Sequence, residues 1–291
     1  MRIFEFLAIF LKGMLMGAAD ILPGISGGTI AFITGIYERL IFGIRNIDFA
    51  FIPLFLQGKF KEARKNLLSI DFGFFIPLLS GIALSFLLLA GLVKTMLTEH
   101  KALTYAFFFG LIAGSLIVIA KEISWSKKHK KAFLLNALLF LIGFLFAFFF
   151  VALNPIKANH SMPVIFGSGI VAACAMLLPG ISGAFTILLL GQYEFMLDAL
   201  RSFNVPIMAL FSIGLFFGFI SFARVLAYLI RNNRNLTLAF LSGLMLGSLR
   251  LPLETIKDVP EDPILIFISA AVGFFIILLI ERKANSKKLE T

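Results

Sequence analysis

Leu22 to Ile41 reads LPGISGGTIAFITGIYERLI, and Leu178 to Leu197 reads LPGISGAFTILLLGQYEFML. Nine of the twenty columns are identical, among them Pro23 with Pro179, Ser26 with Ser182, and Tyr37-Glu38 with Tyr193-Glu194. A second pair follows in the same order, LTYAFFFGLIAGSL at Leu103 to Leu116 and LTLAFLSGLMLGSL at Leu236 to Leu249. Two motifs that recur in one order mark a duplicated unit.

The solvent of that unit is lipid. The 291 residues are 60% hydrophobic and 14% charged, whereas soluble domains carry about 25% charged residues. Ala132 to Leu153 and Pro263 to Ile280 contain no charged residue, and a bilayer core asks about 20 apolar residues of a helix. The 36 phenylalanines, against four tyrosines and one tryptophan, fit lipid-facing surfaces and filler between helices equally well. A formal charge of +10 would suggest nucleic acid in a soluble chain. Here the basic residues lie in short loops, where orientation and anionic lipid headgroups explain them, so no nucleic-acid partner is expected. The single cysteine, Cys174, lies in an apolar segment and reads as a small packing residue. Met1 to Phe10 contains Glu5 and leads into the hydrophobic region without a cleavage site, so it is expected to be retained.

Basic residues set the sidedness. Arg45 to Lys65 holds five, Lys121 to Lys131 five, Arg231 to Arg234 two and Arg282 to Lys288 four, which places these segments in the cytoplasm. Glu99 to Lys101, Asn154 to His160 and the acidic Glu254 to Asp262 then face outward. Six spans join them, at 72–97, 102–120, 132–153, 206–230, 236–250 and 263–281. Parity requires each PGISG region to leave and re-enter one face, with arms at 3–19 and 29–43 in the first copy and 161–178 and 184–200 in the second. Three crossings per unit is an odd number, so the copies are expected to be upside down relative to one another.

The expected fold class is an all-α polytopic membrane protein of two inverted repeats, 1–153 and 154–291. Each is a re-entrant broken-helix hairpin (3–43 and 161–200) plus three transmembrane helices, with both termini cytoplasmic. Lys59 to Ile70, KFKEARKNLLSI, alternates basic and apolar faces and reads as a helix on the cytoplasmic surface. Inverted repeats with interrupted helices are a plan of secondary transporters, which bind substrate near the midplane where the copies meet.

Pro-Gly inside an apolar helix breaks the hydrogen-bond ladder, and in hydrocarbon the released groups need protein, water or a ligand. Gly24, Ser26, Gly27, Gly28 and Thr29 would turn amides and two hydroxyls from a helix N-terminus towards one spot, with Gly180, Ser182 and Gly183 doing so in the other copy. That arrangement suits an anion; the other reading is a kink whose small residues let two helices approach. Asp20, aligned with Met176, would accept from motif amides, cap the helix or carry a proton. Glu38 and Glu194 recur after tyrosine and are candidates for coupling to an ion, or are exposed carboxylates near the membrane face. Arg224, opposite Gly91 in the alignment, either grips phosphate or snorkels to the cytoplasmic end of its span. Arg250 either draws an anion from outside or anchors the interface. His100, His129 and His160 all lie in polar connections, so neither a metal site nor a cofactor is expected.

GAADILPGISGGTIAFITGIY at Gly17 to Tyr37, together with GLMLGSL at Gly243 to Leu249, resembles the polyprenyl-phosphate transporter family over essentially the whole chain. The resemblance implies a bacterial cytoplasmic membrane protein that returns undecaprenyl phosphate from the outer to the inner leaflet for reuse in cell-wall synthesis. Its partners would be that lipid and the membrane lipids. The residues alone lead only to an anion. An enzyme is the competing reading, because undecaprenyl-pyrophosphate phosphatases share broken-helix repeats and a Pro-Gly-x-Ser-Arg-Ser signature. Gly27 stands at the place of that arginine, and Gly183 leaves the second copy as bare, which disfavours phosphoryl transfer. A small-anion transporter stays open, since nothing in the motifs reads a lipid tail.

Overall fold

The computed structural model describes residues 3–21, 25–123, 130–157 and 159–289, and among these every regular element is a helix. The first half contains α1 (Ile3–Ile21), α2 (Gly27–Ile33), α3 (Tyr37–Arg45), α4 (Phe51–Leu56), α5 (Phe60–Leu67), α6 (Phe72–Glu99), α7 (Lys101–Glu122) and α8 (Lys130–Phe150). The second contains α9 (Met162–Leu177), α10 (Gly183–Leu189), α11 (Tyr193–Arg201), α12 (Val205–Ser248), α13 (Arg250–Lys257) and α14 (Pro263–Leu289). Among the described residues four helices are long and apolar enough to cross a membrane: those at Phe72–Leu89, Lys101–Glu122, Lys130–Phe150 and Val205–Lys257. Leu87 is 80% exposed and Phe267 74%, exposures that suit apolar side chains facing lipid. Phenylalanine serves both expected uses, since Phe74 is fully buried while Phe149 and Phe267 face outward.

The spans expected at 206–230 and 236–250 run together as α12, 44 residues long. A straight helix of that length would reach about 66 Å, twice the hydrocarbon thickness. It does not stay straight, because Asn233 leaves the helical region at φ −140° and ψ 52°. His100, between α6 and α7, has φ −132° and ψ 46°, and the second motif pair aligns it with Asn233. Helix starts match in the same register. Asp71 caps α6 by accepting from the Phe74 amide at 3.1 Å, and Asn204 caps α12 from the Ile207 amide at 3.4 Å.

The expected second arms of both hairpins are each two short helices. Gly35 (φ 72°) and Gly191 (φ 65°) are left-handed and close α2 and α10 in the same way. The Gly35 and Ile36 amides return to the Phe32 and Ala31 carbonyls, and the Gly191 and Gln192 amides return to those of Leu188 and Ile187. This double return is the Schellman cap, whose left-handed position glycine fills without steric cost. The expected surface helix at 59–70 is shorter, with α5 covering Phe60–Leu67.

Packing follows the alignment too. α1 lies on α6 and α9 on the first part of α12. A methyl group at Gly13 would strike the Leu78 carbonyl, and one at the aligned Gly169 would strike the aligned Phe211 carbonyl. The remaining spans exchange partners between halves: α7 packs on α14, and α8 on the second part of α12. Gly110 meets the Ala270 backbone just as its counterpart Gly243 meets that of Phe140. The halves are therefore interlocked.

Candidate functional site at the motif junction

Leu22, Pro23 and Gly24 lie outside the described residues, so the expectation for Gly24 cannot be placed. The rest of the first motif turns its donors onto its own chain. Asp20, in the last turn of α1, accepts the Gly27 amide at 2.6 Å. Ser26 is the N-cap of α2 and accepts from Gly28 at 3.1 Å. A carboxylate thus sits where the sequence pointed an anion, at the positive end of α2. In the second copy Met176 replaces Asp20, and Ser182 caps α10 by accepting from Phe185 at 3.4 Å.

The two motifs touch each other. The Gly180 amide donates to the Thr29 hydroxyl oxygen at 2.7 Å, and Tyr37 donates its hydroxyl to the Leu177 carbonyl at 2.9 Å. Both contacts are buried, and Ser26, Thr29 and Ser182 are 2%, 1% and 5% exposed, so the junction is a closed polar seam. Gly28 approaches the Met176 carbonyl so closely that a Cβ would lie 2.6 Å from it, and Gly183 packs on the Met176 side chain. Gly180 (φ 88°) lies against the Leu244 carbonyl.

The charged candidates stand apart from this seam. Glu38 receives Arg234 at 2.8 Å, and the same guanidinium reaches Glu122 at 2.8 Å. Glu194 is exposed and has no ion-pair partner among the described residues. Arg250 bonds Glu254 at 2.6 Å and the Phe148 carbonyl at 3.2 Å, with its guanidinium over the Phe148 ring. Arg224 is exposed and lines a cleft of about 550 Å³ with Arg45, Tyr228, Arg231 and Asn232.

Several residues escaped the sequence reading. Lys12, part-buried on α1, donates to the Thr34 carbonyl at 2.7 Å and so binds the closing end of α2. Tyr37 was visible only as a repeated letter, although its hydroxyl ties the halves together. Buried Gln192 joins His160 at 3.0 Å and the Asn159 carbonyl at 3.0 Å. A largely apolar groove of about 430 Å³ opens between α1, α6, α7 and α14, lined by Ala18, Leu92, Met96, Leu103 and Phe107 among others. No periodicity announces it, because its walls come from four segments far apart in the chain.

A family model described as undecaprenyl phosphate translocase-like matches residues 16–265. A polyprenyl-phosphate transporter of Vibrio cholerae serotype O1 is 40% identical over 250 residues, covering 84% of this chain and 77% of that protein. One of Staphylococcus aureus is 30% identical over 287 residues, covering 94% of this chain and 95% of that protein. No solved structure matches. With the match extending over both motif copies and the seam between them, the chain belongs to the undecaprenyl phosphate translocase-like family.

Proposed function

We propose that this protein moves a polyprenyl phosphate, undecaprenyl phosphate in bacteria, from the outer to the inner leaflet of the cytoplasmic membrane by alternating access. The halves 1–153 and 154–291 act as inverted repeats with cytoplasmic termini, and the hairpins 3–43 and 161–200 re-enter from opposite faces. The repeated breaks at His100 and Asn233, the repeated glycine caps and the aligned helix contacts support that architecture. The names of the two relatives support the substrate.

The observation that carries the mechanism is a difference between the copies. α3 packs on α12 and is tied to it by Glu38–Arg234, whereas α11 makes no such packing on α6 among the described residues. By alignment the counterparts of Glu38 and Arg234 are Glu194 and Lys101, and both are exposed and unpaired among the described residues. We read this as a state closed towards the cytoplasm and open outward, with Lys101–Glu194 as the gate that forms when the copies exchange conformations. The headgroup crosses at the seam formed by Ser26, Gly27, Gly28, Thr29, Gly180, Ser182 and Gly183, displacing the internal acceptors Asp20 and Thr29, while the tail stays in lipid. Asp20, Glu38 and Glu194 are the groups through which a cation gradient would couple.

Reorientation of labelled undecaprenyl phosphate in proteoliposomes, with and without a proton gradient, tests the function. Protein-dependent movement of the lipid between leaflets is expected. Flux of free phosphate without lipid movement, or release of phosphate from the pyrophosphate, would replace this reading with a small-anion transporter or a phosphatase. Ser26→Ala and Ser182→Ala each remove a helix cap worth about 1 kcal/mol and a hydroxyl of the seam. Both are expected to slow lipid reorientation well beyond what the small loss in thermal stability explains. Rates equal to wild type in both variants would remove the serines from the path.

A further inference from the structure

We propose that the cleft between the end of α3 and the exposed face of α12 binds a phosphate monoester dianion, on the side that the basic-residue count assigns to the cytoplasm. Arg224, Tyr228 and Arg231 are spaced i, i+4 and i+7 and so share one face of α12. Arg45, the last residue of α3, faces them across a volume of about 550 Å³, and Asn232 completes the lining. The walls supply three guanidiniums, one phenol hydroxyl and one amide, the donors that suit the three oxygens of a terminal phosphate.

Loop charge that only orients a membrane protein has no reason to converge on a concavity. Arg234, three residues beyond Arg231, is met by two carboxylates. Arg45, Arg224 and Arg231 have none among the described residues. The other copy lacks the feature: Gly91, Thr95, Thr98 and Glu99 align with Arg224, Tyr228, Arg231 and Asn232, and Arg201, aligned with Arg45, is paired with Asp198 at 3.7 Å. The aligned surface of the opposite face holds an acid where this one holds a cationic cleft. An anion leaving the seam therefore meets an arginine-lined cleft on one side only, which would favour delivery in that direction.

The role in delivery rests on the transport reading above, and the site itself is tested apart from it. Farnesyl phosphate and inorganic phosphate are titrated into the purified full-length protein, with phosphatidylglycerol as a competing phosphodiester. Arg45→Gln, Arg224→Gln and Arg231→Gln are each expected to weaken farnesyl phosphate binding about tenfold, and the Lys variants to retain part of it. Equal affinity for inorganic phosphate supports the site and makes the free ion its occupant; preference for the prenyl ester supports it and assigns the lipid headgroup. Unchanged binding in the triple Gln variant at wild-type thermal stability, or equal competition by phosphatidylglycerol, overturns the proposal. Arginine-dependent binding in a protein that reorients no lipid sinks the transport reading and leaves the site standing. Lipid reorientation at wild-type rate and affinity in the triple variant does the reverse.

Discussion

Cross-linking Lys101→Cys to Glu194→Cys, in a chain whose Cys174 is replaced by alanine, is expected to abolish lipid reorientation, and reduction of the bond is expected to restore it. The expectation follows from the two copies being alike in sequence and unlike in packing. Glu38 and Arg234 hold α3 on α12, and their counterparts stand apart. An exposed pair of this kind is worth only about 0–1 kcal/mol, so the native gate opens readily on the timescale of turnover, whereas a covalent bond does not. Loss of the Arg234 ion pairs alone should therefore change the balance of states modestly, while the cross-link should act as an off switch. Failure of the cysteines to join during turnover, or full transport by the joined protein, would refute the exchange of gates.

Gly180→Ala is expected to be the most damaging single methyl group at the seam. Its φ of 88° places it in the left-handed region, where a Cβ costs roughly 1–2 kcal/mol. That Cβ would also lie 2.8 Å from the Leu244 carbonyl, and overpacking of this kind costs roughly 1–3 kcal/mol more. The neighbouring strain acts directly on the bond from the Gly180 amide to Thr29. Gly35→Ala is the control, because its φ of 72° carries the same backbone penalty while nothing lies within 4 Å of the added carbon. Thermal unfolding in detergent should show a loss for Gly180→Ala about twice that for Gly35→Ala, with transport lost in the former. Equal losses would mean that the seam is looser than its geometry indicates.

The apolar segments, the helix interruption at PGISG and the polar turn at 231–234 were all legible, because each is a local property of composition or of proline and glycine. The second interruption was also written in the chain, in the identical column of Gly35 and Gly191, but two apolar flanks of ordinary helix-forming residues concealed a cap that depends on a single backbone angle. The fate of the motif amides was less accessible. Sequence reasoning offered them to a ligand, and the fold gives them to Asp20, Ser26 and Thr29, a choice that depends on how α1 folds back and on how two motifs far apart in the chain meet. Likewise Arg224 was visible as a lone cation inside an apolar span, while Arg45 belonged to a different loop count until the packing of α3 on α12 set the two across one cleft. The glycines at 110, 114, 243 and 247 were legible only as repeated letters, and the helix partners against which they pack come from the fold.

Those partners have a consequence for biosynthesis. α7 finds its mate in α14, and α8 finds its mate in the second part of α12, so two spans made early leave the ribosome with glycine-lined faces that nothing yet covers. Insertion of the first half can proceed turn by turn, but its final packing must await translation of the second. A nascent chain stalled between them would sit in the bilayer with those backbones unshielded.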